Sequence, residues 1–175
     1  MDLFEVFFKE INSVTITTSV YGIEFNIDNK KFSYKSNEEL PDEELPDDDE
    51  IIEYIKLFLN KISSKITELK IFVHSYDLGD YMGSSFFDDF HFPKLITVLF
   101  TNVFLSKFSN IKESAPKLVY LEVEQLVIVK DNILEIKTID FSLNVTREFE
   151  IEEKFYKKLK KNKNVKLNED LVCIC

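Results

Sequence analysis

Phe92-Pro93-Lys94-Leu95-Ile96-Thr97-Val98-Leu99-Phe100-Thr101-Asn102 and Ala115-Pro116-Lys117-Leu118-Val119-Tyr120-Leu121-Glu122-Val123 carry one pattern twice. Each has a Pro-Lys-Leu lead-in followed by a short alternation of side chains. The shared skeleton is Leu95-x-x-Val98-x-Phe100 and Leu118-x-x-Leu121-x-Val123. Alternation marks an extended strand, because successive side chains point to opposite faces. Ile66-x-x-Leu69-x-Ile71 precedes these copies and Ile136-x-x-Ile139-x-Phe141 follows them. Taken at Leu69, Val98, Leu121 and Ile139, the copies are 29, 23 and 18 residues apart. A fading copy, Val165-x-Leu167, follows a helical stretch from Glu152 to Lys161.

This text resembles the leucine-rich repeat family over about residues 66–142, with the faded copy extending it toward the C-terminus. In that family Leu-x-x-Leu-x-Leu marks a short parallel strand, and the connector climbs back behind it. The departures are plain: the period drifts, only Asn102 meets the family's Asn/Cys position, and Val, Ile or Phe often replaces leucine. An α+β sheet with ordinary helical crossovers is the other architecture open to the same residues. The resemblance implies an exposed ladder of Glu68, Lys70, Thr97, Leu99, Thr101, Tyr120, Glu122, Glu124, Thr138, Asp140 and Ser142. One base stands against four acids there. Such a face, anchored on Tyr120 and Leu99, suits a basic protein surface.

Upstream, Val14 to Thr18, Tyr21 to Ile27 and Lys31 to Tyr34 are alternating and β-branched, with Asp28-Asn29-Lys30 as a turn. They predict an antiparallel hairpin or meander. Residues 3–9 fit a short helix or a strand. Ile51, Ile52, Ile55, Leu59, Ile62 and Ile66 recur at three- and four-residue steps, which predicts an amphipathic helix. The expectation is one α/β domain over residues 1–175: a β-rich part (1–37), an acidic loop (38–50), then a helix and repeat-like units (51–175). The stretch from Asp77 to Asp88, with Gly79 and Gly83, reads as a long insertion whose Tyr76, Tyr81, Phe86 and Phe87 pack back or dock a partner.

The 175 residues are 45% hydrophobic, with 17 Phe and 7 Tyr, enough for a substantial core. Only Gly22, Gly79 and Gly83 are glycines, and no glycine-rich phosphate loop is present. The start is acidic rather than a basic-then-apolar secretory leader, and no apolar run reaches a membrane span. Cys173 and Cys175 are the only cysteines, too few for a zinc site. A reducing cytoplasmic compartment is expected, with no cofactor.

The formal net charge is −10. Glu38 to Glu50 holds nine acids and no base: Glu38, Glu39, Asp42, Glu43, Glu44, Asp47, Asp48, Asp49 and Glu50. The remaining 23 acids and 22 bases nearly balance. Two prolines break the acidic segment, whose last acids suit the start of the following helix. It lacks the alternating ligands and central glycine of an EF-hand. Lys154 to Lys166 holds seven lysines, interleaved with Phe155, Tyr156 and Leu159. Four-residue spacing of Phe155 and Leu159 reads as a core-facing helix whose lysines favour its C-terminal end. Asn144-Val145-Thr146 matches a glycosylation sequon without a secretory context.

His74 and His91 are the only histidines. Ser75 and Asp77 beside His74 do not make a triad, which distant segments assemble. Asp88, Asp89 and His91 are the candidate metal set, with no helix-spaced motif behind them. The residues therefore point to a non-enzymatic protein-binding module with a basic-surfaced partner. The sharpest form is an immunity or inhibitor protein that neutralises a basic toxin or nuclease. Its expected contacts are Glu68, Tyr120, Glu122, Glu124 and Asp140, with Asp42, Glu43, Glu44, Asp47 and Asp48 of the acidic loop. Membrane, nucleic-acid and small-molecule partners are not expected. The alternatives are a histidine- and carboxylate-dependent hydrolase or metal enzyme, and an adaptor or structural subunit of an assembly.

Overall fold

The computed structural model describes residues 11–20, 22–35, 47–108, 110–126, 139–146, 149–151, 153–167 and 172–174. The expected meander is present: β1 (Ser13–Ser19), β2 (Gly22–Ile27) and β3 (Lys30–Lys35) pair antiparallel in sequence order. Alternation along β1 buries Val14 and Ile16 completely. Asp28 and Asn29, at φ 45° and 70°, form the two-residue turn into β3. Such a turn needs left-handed backbone at both positions, which Asp and Asn tolerate. The Asp28 carboxylate also accepts the backbone N–H groups of Asn12 and Ser13, at 3.1 and 2.9 Å, tying the turn to the start of β1.

The first helix, α1 (Asp48–Ile62), begins inside the acidic segment, so the expected loop of 38–50 is corrected at its end: residues 48–50 are already helical. Asp47 caps it by accepting the Glu50 N–H at 2.8 Å, and Asp48, Asp49 and Glu50 occupy the first turn. Carboxylates stabilise that positive end. Ile51, Ile55, Phe58, Leu59 and Ile62 form its buried stripe, and the Phe58 ring sits 4.1 Å from that of Phe25. Ile66 is buried too, but lies past the helix, where the chain turns into β4 (Glu68–Phe72).

β4 is parallel to β1. β5 (Thr97–Thr101), β7 (Tyr120–Val123), β9 (Ser142–Val145) and β11 (Val165–Leu167) continue the parallel run. The sheet has eight strands in the order β11-β9-β7-β5-β4-β1-β2-β3. Two short parallel pairs stand apart from it: β6 (Phe104–Leu105) with β8 (Gln125–Leu126), and β10 (Phe149–Ile151) with β12 (Val172–Ile174).

One cross-strand row runs Val14, Leu69, Val98, Leu121, Leu143, Val165. The last three steps of that row are 23, 22 and 22 residues, more regular than the sequence spacing suggests. The expected unit at Ile136-x-x-Ile139-x-Phe141 is corrected by this register: the strand lies four residues later, with Leu143 opposite Leu121. Ile139 and Phe141 are buried just ahead of it, and Ile136 lies outside the described residues. At the other end, Ile11-x-x-Val14-x-Ile16 carries the same skeleton, so β1 is both the start of the meander and one more member of the parallel run.

Helices cover one face of the sheet. The insertion expected after β4 is helical: α2 (Tyr76–Ser84) and α3 (Phe86–Asp89). Ser75 starts α2 by accepting the Leu78 N–H at 3.3 Å. Gly79 and Gly83, one turn apart, lie against the backbone of 102–105, where any Cβ would collide with the Asn102 and Phe104 carbonyls. Phe86 packs its ring 5.4 Å from Phe100 of β5 and 5.6 Å from Phe92. With α4 (Ile111–Ser114) and Leu159 of α5 (Glu153–Leu159), these side chains join the inward rows of the sheet in one buried cluster.

Candidate protein-binding face

Where the inward rows of the sheet are buried, the outward rows stand open. Thr15, Lys70, Leu99, Glu122, Asn144 and Lys166 align across six strands, and Ser13, Glu68, Thr97, Tyr120 and Ser142 form a second row. A third row holds Glu24, Thr17, Phe72 and Thr101. Strand alternation places them, and Thr15, Thr17, Lys70, Phe72, Leu99, Glu122, Ser142 and Asn144 each sit between two buried neighbours. Phe72, the last residue of β4, is 39% exposed on this face. Leu99, in the adjoining row, and Tyr120, in the row beyond it, are half-buried.

The acids of this face are not free charges. Glu68 pairs with Lys70 at 2.9 Å, and Glu24 pairs with Lys31 at 2.5 Å. The Glu122 carboxylate accepts the Tyr120 hydroxyl at 2.5 Å and the Asn144 side-chain N–H at 2.9 Å. Burial, reinforced by that carboxylate, pushes the Tyr120 phenol above its usual range. Neutral Tyr120 therefore stays a donor to Glu122 well above neutral pH. The result is a polar, roughly balanced surface around a small apolar centre.

The expected ladder is brought together in part. Glu68, Lys70, Thr97, Leu99, Thr101, Tyr120, Glu122 and Ser142 do share the open face. Glu124 does not: β7 ends at Val123, and Glu124 is only 6% exposed. Asp140 precedes β9 and pairs with Lys112 at 3.2 Å. Thr138, Asp42, Glu43 and Glu44 lie outside the described residues. Asp47 is committed to the helix cap. Asp48 accepts the Ser75 hydroxyl at 2.6 Å. Phe72, Asn144, Lys166 and Glu24 join the face beyond the expected set. Phe72 is legible as the next outward step after Glu68 and Lys70, and Asn144 follows from the corrected register.

His74 sits at the C-terminal end of β4. Its Nδ1 is 2.9 Å from the Thr18 hydroxyl, and its Nε2 is 3.8 Å from Asp48. The Ser75 hydroxyl donates to Asp48 rather than to His74, and Thr18 is buried. This arrangement ties β1, β4 and two helix starts together, with the Thr18 hydroxyl also accepting the His74 backbone N–H at 3.1 Å. Of the candidate metal set, Asp88 is held by Lys107 and Asn110. Asp89 accepts the Tyr81 hydroxyl at 2.7 Å and faces Lys56 at 3.5 Å, while His91 is exposed. Among the described residues, no three His, Cys, Asp or Glu side chains converge as metal ligands. None of the described helices is long and apolar enough to cross a membrane.

The chain matches no protein-family model, no curated protein and no solved structure.

Proposed function

We propose that this chain is a protein-binding module, built as an irregular stack similar to leucine-rich repeats, with the open sheet face as its docking surface. The observation that carries the reading is the asymmetry of the sheet. Over its central strands one face is covered by helices, while the other presents Phe72, Leu99 and Tyr120 within a polar surround. A small apolar centre inside a hydrogen-bonding rim is the composition of a protein interface. The parallel register of the strands and the Asn102 side-chain bond to the Val73 carbonyl support the stack reading.

The sharper form, an inhibitor that neutralises a basic toxin or nuclease, rests on the acidic segment rather than on the face. The face itself holds Glu24, Glu68 and Glu122 against Lys31, Lys70 and Lys166. A basic partner would thus dock on the face through Tyr120 and Phe72 and be steered by the acids of 38–50. The test is capture from an extract with wild type and with Leu99→Asp/Tyr120→Ala. The variant should lose a partner that wild type retains. Equal capture by both would remove the face from the proposal.

A further inference from the structure

The two ends of the parallel strands carry opposite charge. Lys65, Lys94 and Lys117 each stand four residues before an aligned core residue, Leu69, Val98 and Leu121. They therefore occupy equivalent turns entering three neighbouring strands, spaced by about 4.8 Å per strand. Lys161 holds the same place before Val165 of β11. Lys94 and Lys117 are exposed, and two residues beyond them Ile96 and Val119 are 44% and 60% exposed. From Lys65 to Lys117 this N-terminal rim is a basic row edged with aliphatic side chains, and Asp28 and Asp140 on the same rim are taken up by the Asn12 and Ser13 N–H groups and by Lys112.

The opposite rim is acidic. α1 runs back along β4, so its start lies at the C-terminal end of that strand, where Asp48 meets Ser75 and His74. Asp49 and Glu50 of α1 and Asp77 of α2 are exposed there. Val20, 52% exposed, sits on the same rim, two residues past Thr18 and its contact with His74. The 15-residue α1 separates the rims by about 22 Å at 1.5 Å per residue. That exceeds twice the roughly 8 Å screening length at physiological salt, so the rims of one molecule do not neutralise each other.

We infer that copies of this chain associate head to tail, the Lys94 and Lys117 rim of one seated on the Asp49, Glu50 and Asp77 rim of the next. Charge complementarity selects a second copy as occupant, because the chain carries both halves of the contact, each with an exposed aliphatic flank. Neighbouring ammonium groups repel until an acidic surface covers them. The contact is heterologous, using different patches on the two copies. It uses the rims rather than the open face, so it stands or falls separately from the binding module.

The test is sedimentation of the full chain across a concentration series at several salt levels. Net charge of −10 repels whole molecules, whereas the rim contact is local. Association should therefore peak near about 0.1 M salt, where the screening length is about 10 Å, and vanish near about 1 M, where it is about 3 Å. Lys94→Glu/Lys117→Glu and Asp49→Asn/Glu50→Gln/Asp77→Asn should each stay monomeric alone, with the circular dichroism of wild type. Mixed, they should form a dimer and nothing longer, since each supplies one intact rim. A wild-type monomer throughout the series at about 0.1 M salt would overturn the inference. So would unchanged association in the lysine variant, or a mixture that fails to pair.

Discussion

The Asn102 side-chain amide donates to the Val73 carbonyl at 2.8 Å while its own backbone is held at φ 60°. One residue thus ends β5, turns the chain under α2 and bonds to the preceding parallel unit. Asn is among the few non-glycine residues that tolerate that backbone region. Asn102→Ala should destabilise the fold by about 1–3 kcal/mol, combining the lost bond with a strained backbone. Asn102→Gly, free of the strain, should lose less. Urea unfolding of the two variants separates these contributions.

Glycine inside a helix usually invites stabilisation by alanine, worth about 1 kcal/mol. Gly79 and Gly83 should reverse that sign, because a methyl group meets backbone carbonyls that have no rotamer to escape into. Gly83→Ala should lower stability by roughly 1–3 kcal/mol, the range of overpacking in a filled interior. A thermal melt at or above the wild-type midpoint would contradict this packing.

Acid should loosen the joint between α3 and the start of α4. The Lys107 ammonium, helped by the Asn110 amide, holds the Asp88 carboxyl below its usual range. A carboxyl depressed in the folded state contributes stability above its unfolded value, near about 3.9, and loses it as pH falls through the folded value. Lys107→Ala should flatten that acid limb of the stability–pH curve while leaving the neutral limb parallel to wild type. Denaturant midpoints between acidic and neutral pH measure it.

Register can be checked by mutation. Leu143 is fully buried opposite Leu121, so Leu143→Ala should cost about 2–5 kcal/mol. Ser142 faces outward beside it, and Ser142→Ala should fall within about 0.5 kcal/mol of wild type. Equal effects at the two positions would mean that β9 is set differently.

These variants also mark where the fold is legible in the residues and where it is not. Leu95-x-x-Val98-x-Phe100 and its copy announce parallel strands because their apolar phase is bounded by proline turns. The next unit is ambiguous because Ile139, Phe141, Leu143 and Val145 form one unbroken alternation. Any slip by an even number of residues leaves the same faces buried, and only the connector decides among them. Glu124 misleads for a related reason: alternation assigns faces only while the strand lasts, and β7 stops one residue earlier. The helix at 76–84 hides behind Gly79 and Gly83, whose low helix propensity is overridden by the Ser75 cap and by the close backbone approach that glycine allows. The surface charge is hardest to read, since pairing of Glu68 with Lys70 within β4 and of Glu122 with Asn144 across strands depends on side-chain placement.

The even steps from Leu121 to Leu143 to Val165 bear on how such a chain can change length. In the parallel run each strand pairs only with the strands on either side, so a whole strand with its connector is the natural quantum of insertion or loss. A duplicated 22-residue segment spanning β9 should extend the sheet by one strand and leave both ends intact. Half that length would bring its strand to the sheet running the wrong way. The protein is in that sense a sentence to which words, but not letters, can be added.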